Sequence, residues 1–128
     1  MERLDILKQK LKAYFLWHAS SHKRAKNIKE IEQYLGVDNR TVRRLINQIR
    51  KEGVAIVSLS RDEVTGYFLL DIRDREDIRY AEHFIAETKS RIKELEKIIE
   101  PVEKALKRSP FYIKPGEQLK LFGGMKND

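Results

Sequence analysis

With 128 residues, 41% of them hydrophobic, the chain can fill one compact core and carry one extension, but not two sizeable cores. The absence of cysteine excludes disulfides and thiolate metal sites, and the lack of any apolar run near the roughly 20 residues that span a bilayer argues against a membrane partner. Set against 20 Asp and Glu, 27 Lys and Arg leave a formal charge of +7, which favours a polyanionic partner such as nucleic acid in a reducing, cytoplasmic, nucleoid-associated setting. The charged amino terminus, MERLDILKQKLKAYFLWHAS, has no apolar centre of the kind a cleaved secretion signal carries.

Leu4, Leu7, Leu11 and Phe15 recur at helical spacing, and no Gly or Pro interrupts residues 2–19, so a first amphipathic helix is predicted there. After the polar SSHKRAK, Asn27 can cap a second helix, with Glu30 completing a capping box and Ile28, Ile31 and Leu35 facing inward. Gly36 suits the left-handed turn that ends it, and Asp38 caps a third helix, NRTVRRLINQIRKE. Val42, Leu45, Ile46 and Ile49 form one stripe of that helix. Arg40, Thr41, Arg43, Arg44, Asn47, Gln48 and Lys51 lie off it.

Gly53 stops the third helix, and the β-prone runs VAIVSLS and GYFLLDI, separated by the polar RDEVT, predict a hairpin with Arg61 at its tip. From Asp74 a long helical pattern sets Ile78, Ile85, Ile92, Ile99 and Leu106 seven apart, with Ala81, Thr88, Leu95 and Val102 three residues after the first four. That is a heptad seam. Pro101 lies outside the seam and is expected to kink or restart the helix. Beyond Ser109, two prolines and three glycines predict irregular structure. The chain thus divides into a domain over residues 1–73, a long helix over 74–108 and a tail over 109–128.

Three helices followed by a hairpin, the third helix basic on its free side, is the element order of a winged helix-turn-helix. Ile31, Leu35, Val37, Val42 and Leu45 around Gly36 match the helix-turn-helix pattern, and GVDNRTVRRLINQIRKEGVAIVSLSRDEVTGYFLL resembles the amino-terminal modules of the biotin repressor and of deoxyribonucleoside-type bacterial regulators. The resemblance covers residues 4–72, and it departs from the pattern at Glu32, where such modules carry a small residue, and in a longer wing loop. It implies an α+β, mainly α fold that binds double-stranded DNA.

The physics of the third helix points the same way. A major groove admits one α-helix, whose amino-terminal half meets base edges first: here Asn39, Arg40, Thr41, Arg43 and Arg44, with Asn47 following. Lys51 suits a phosphate contact, and Arg61 a minor-groove or phosphate contact by the wing. The competing view is a solvated surface face or a winged domain used for protein contacts. Four arginines and no acid between Asn39 and Lys51 favour the groove.

The seam of Ile78, Ile85, Ile92, Leu95, Ile99, Val102 and Leu106 allows packing against the first helix or pairing with a second copy; its length favours a homodimer, with strand direction open. In the tail, Gln118, Leu119, Leu121 and Phe122 of QLKLF resemble the short peptide by which bacterial and phage replication and repair proteins dock on a sliding clamp, although Lys120 replaces the usual small or acidic residue. Folding back onto exposed helix surface is the alternative. His18 and His22 have the spacing of half a metal site, but no third ligand is placed, and neither a phosphate-cradling loop nor a nucleophile motif appears. The expectation is a dimeric, non-enzymatic regulator of transcription without metal or cofactor, the alternative being a replication or repair accessory of a phage or mobile element.

Overall fold

The computed structural model describes residues 2–61 and 64–113, and the chain divides into two units, Met1–Thr88 and Lys89–Asp128. It is mainly helical with one two-stranded antiparallel sheet, an α+β architecture. In chain order come α1 (Arg3–His18), a single 3-10 turn (His22–Arg24), α2 (Ile28–Leu35), α3 (Asn39–Lys51), β1 (Ile56–Arg61), β2 (Val64–Leu69) and α4 (Arg75–Lys107). Among the described residues, no helix is long and apolar enough to cross a membrane.

Local chemistry fixes the boundaries of the short helices. The Asn27 side chain accepts from the Glu30 backbone N–H at 2.9 Å while Glu30 accepts from Asn27 N–H at 3.0 Å, a reciprocal pair that starts α2. Gly36, at φ 70°, ends it in the left-handed region that a side chain would resist. Asp38 accepts from Thr41 N–H at 3.0 Å and starts α3 only two residues on.

Within Met1–Thr88 the hairpin is buried on both faces. Ile56 joins Leu11, Phe15, Ile31, Leu45 and Ile49 in a core shared by α1, α2 and α3. Val57, Leu59 and Phe68 point the other way, onto Tyr80, Ala81 and Phe84 of α4. Alternation along a strand sends successive side chains to opposite faces, so one hairpin serves two clusters.

The outer edge of β2 is covered by the connection between α1 and α2. Ser21 N–H donates to Leu69 O at 2.8 Å, and Lys26 and Tyr67 exchange backbone bonds of 2.9 and 2.8 Å. This approach leaves no room for a side chain at residue 66: a Cβ there would lie 2.5 Å from the Lys26 carbonyl oxygen, which explains Gly66. Ser21 takes φ 75°, a strained value for a non-glycine residue, and is held there by its backbone bond to Leu69 and its side-chain bond to Asp77.

Two expectations need correction. The long polar loop RDEVT is shorter than its composition suggests: the ladder continues to the pair Arg61 and Val64, because Val64 and Thr65 are β-branched and extend the pleat. Nor does Pro101 restart the last helix, the second of the two outcomes expected of it, since α4 runs to Lys107 with Pro101 inside it. A proline deletes one donor from the ladder, and the flanking turns of this helix tolerate the loss.

In Lys89–Asp128, every side chain from 89 to 108 is exposed. After α4, Phe111 N–H donates to Ser109 Oγ at 3.1 Å, and a hollow of about 290 Å³ is lined by Leu106, Ser109, Phe111, Tyr112 and Ile113.

Candidate nucleic-acid interface

The third helix is sharply two-faced. Val42, Leu45, Ile46 and Ile49 are buried in the core, whereas Asn39, Arg40, Arg43, Arg44, Asn47 and Lys51 are exposed and Thr41 is half-buried. At 100° per residue, Arg40, Arg44, Asn47 and Lys51 fall on one outward line, with Arg43 beside it. No acidic residue interrupts α3. The nearest carboxylate beyond its carboxyl end, Glu52, is clamped by Lys8 at 2.6 Å and by Lys12. Those two ammonium groups, Lys12 first, hold Glu52 below the usual carboxylate range.

At the other end, Asp38 is held low by hydrogen bonds from Thr41, the hydroxyl first and the backbone N–H second, so its charge sits on the cap of the helix. Arg43 Nε donates to Asn39 Oδ1 at 3.2 Å, one turn away, which orients both side chains along the exposed surface. None of Arg40, Arg43, Arg44 or Lys51 takes part in the ion pairs among the described residues. The result is a rigid helix that presents unpaired cations.

Arg50 differs from the other three arginines of α3. Its Nε donates to Ile56 O at 3.0 Å, Nη2 to Ser58 Oγ at 3.0 Å and Nη1 to Asn47 Oδ1 at 3.2 Å, and its guanidinium lies over the rings of Phe84 and Tyr67 at 5.1 and 5.9 Å. Burial pushes its pKa below the usual guanidinium value, while Tyr67 opposes the shift. Arg50 therefore ties α3 to β1 and the base of α4 and is withdrawn from the free basic face. Of the four arginines in the helix, three remain available.

The sequence reading missed the polar centre of the unit. Asp77 is fully buried, yet Oδ1 accepts from Ser21 Oγ at 3.0 Å, from His22 N–H at 2.9 Å and from His22 Nδ1, while Oδ2 accepts from Asp71 N–H at 2.9 Å. Burial raises the cost of its charge, but these donors together outweigh it and hold its pKa below the usual carboxylate range. Asp77 thereby latches α4 onto the connection after α1. Its place in the helix, three residues before Tyr80 and seven before Phe84, was the available signal: it shares their inward face.

His22, Asp74 and Asp77 bring one potential metal-ligand atom each within 4.8 Å of one another. Both Asp77 oxygens are already taken by hydrogen-bond donors, and the Asp74 carboxylate caps α4 through Glu76 and Asp77 N–H. These donors assign the cluster to the scaffold. His18 instead lies against the tilted rings of Tyr14 and Tyr34, at 5.5 and 6.4 Å, so the two histidines at half-site spacing are drawn to different partners.

The remaining sequence candidates are distributed as follows. Arg61 closes β1 opposite Val64, at the end of the ladder. In Met1–Thr88, Ile78 and Ile85 are exposed, and in Lys89–Asp128 so are Ile92, Leu95, Ile99, Val102 and Leu106. Gln118, Leu119, Leu121 and Phe122 lie outside the described residues. No family, curated protein or solved structure matches the chain.

Proposed function

We propose that this protein binds double-stranded DNA through a winged helix-turn-helix in which α3 is the recognition helix and the β1–β2 hairpin the wing, and that it regulates transcription. One observation carries the reading: an acid-free, exposed helical face bearing Arg40, Arg43, Arg44, Asn47 and Lys51, set on a buried stripe that holds the helix rigid. Rigidity matters because base readout needs bidentate donors at fixed positions, arginine to guanine O6 and N7, asparagine to adenine N6 and N7. The capped start of α3 supports the same reading, as Asn39, Arg40 and Arg43 stand on its first turns, the part that enters a major groove first.

Lys51, near the carboxyl end, is assigned to phosphate, and Arg61 to the wing's contact with backbone or minor groove. Arg50 sets the angle between recognition helix and hairpin. The exposed repeat along α4 supports a homodimeric coiled coil, which would bring two recognition helices to a two-fold site.

The test is selection of bound sequences from random duplex DNA, with Arg43→Ala and Arg44→Ala variants alongside. An enriched palindrome that both variants weaken supports a dimeric regulator. Binding without enrichment supports the second reading, a replication or repair accessory, for which QLKLF supplies a clamp-docking peptide; deleting Gln118 to Phe122 would then abolish clamp capture and leave DNA affinity intact. Absence of DNA binding leaves a protein-interaction scaffold.

A further inference from the structure

We infer that the segment of α4 from Ile92 to Leu106 pairs with the same segment of a second copy, parallel and in register. The inference deepens the dimeric reading above by fixing the direction and extent of its partner contact, and it stands on α4 alone, independent of DNA.

Within Lys89–Asp128 the helix has two unlike faces. On one, Glu94 pairs with Lys97 at 3.2 Å and Glu100 with Lys104 at 2.8 Å, so that side is satisfied by its own neighbours and by water. On the other, Ile92, Leu95, Ile99, Val102 and Leu106 form an unbroken a/d stripe, and each is about half exposed, from 48% at Leu106 to 59% at Val102. Most helical stability in proteins comes from packing an apolar face, and the stripe along this one is stabilised by a partner helix that buries it.

The residues at the seam choose the partner. Isoleucine at the a positions 92 and 99 with leucine at the intervening d position 95 is the combination that favours two parallel strands, and only the last pair of the seam, Val102 at d and Leu106 at a, reverses it. Charge agrees. Parallel pairing sets Arg91, at g, against Glu96 of the partner subunit, at e, an attraction made twice by symmetry. In antiparallel pairing e faces e: one register that overlaps this segment fully sets Glu96 against the partner's Glu103 twice, and the other sets Lys89 against the partner's Glu103 but Glu96 against the partner's Glu96, a repulsion the parallel form lacks. That like-charge contact disfavours the antiparallel form.

The upper limit of the zipper is also legible. Ala81, which the heptad pattern places in the seam, packs against the hairpin cluster of Val57, Leu59 and Phe68 within its own unit. The first heptad is therefore half committed to the domain, and continuous pairing starts below it.

The test uses the full chain without DNA. Light scattering should give twice the monomer mass for the native sequence, and Ile92→Lys with Val102→Lys should halve it while the thermal unfolding of the amino-terminal unit is retained. Because the chain contains no cysteine, a Leu106→Cys variant reports direction cleanly. Oxidation should link it into a covalent dimer, whereas antiparallel partners would hold the two thiols more than about 15 Å apart at about 1.5 Å per residue. A monomeric native protein overturns the pairing, and a dimer whose Leu106→Cys variant does not cross-link overturns the parallel register. Either result leaves the DNA-binding reading intact, since that is measured on α3.

Discussion

Two helices of this chain carry equally regular apolar stripes and spend them differently. In α3 the stripe is closed: Ile49 has no exposed surface, and its burial orients an opposite face of free arginines. In α4 beyond Thr88 the stripe is open, with Ile98 beside it 66% exposed. Periodicity tells which side of a helix is apolar, while only the surrounding chain tells whether that side is already covered. In the function proposed above, the closed stripe of α3 leaves its other face to meet a partner, and the open stripe of α4 is itself the face that meets one.

This contrast can be broken at several points. The largest effect is expected at Ile49→Ala, which should destabilise the amino-terminal unit by about 2–5 kcal/mol by chemical denaturation, because the cavity forms in a closed core. Next comes Asp77→Ala, which strips four hydrogen bonds of their acceptor and should cost about 3 kcal/mol. Its pH dependence sharpens the point. A carboxylate whose folded pKa is depressed contributes stability above its unfolded value and loses it as pH falls through the folded one. The stability gap between the native protein and Asp77→Asn should therefore be full at neutral pH and narrow as the pH falls below the ordinary carboxylate range, as followed by denaturant titration at each pH.

On the free face, Arg44→Ala should weaken DNA binding by about 1–3 kcal/mol and change folding stability by no more than about 0.5 kcal/mol. Lys51→Ala should weaken binding uniformly across sequences and lower the salt slope by about one. The smallest effect belongs to Ile98→Ala, an exposed position off the a/d seam, whose unfolding free energy by denaturant titration should match the native protein's to within about 0.5 kcal/mol. A large loss there would mean that the outer flank of α4 is covered as α3 is.

The parts legible in the sequence were those whose causes are local. Asn27 and Glu30, Gly36, and Asp38 with Thr41 act within a few residues, so α2 and α3 could be bounded without knowing the fold. The stripe Val42, Leu45, Ile46 and Ile49 was legible for the same reason. For Asp77 only the inward direction was legible, from its spacing to Tyr80 and Phe84; its partners were not, because Ser21 and His22 lie more than fifty residues away. Arg50 looked like its neighbours on the basic face; only the path of β1, which places Ile56 O and Ser58 Oγ beneath it, separates a structural guanidinium from a free one. The hairpin tip was misjudged because charge in RDEVT outweighed the β-branched Val64 and Thr65.

The central claim is that the basic face of α3 enters a duplex, and the direct measurement is a salt titration of DNA affinity for the native chain and for the Arg43→Ala, Arg44→Ala double variant. The account predicts a log-log slope of about −0.9 per phosphate neutralised and a marked loss of affinity in the double variant at every salt concentration. Binding that is indifferent to salt, or equally tight without these two arginines, would contradict it.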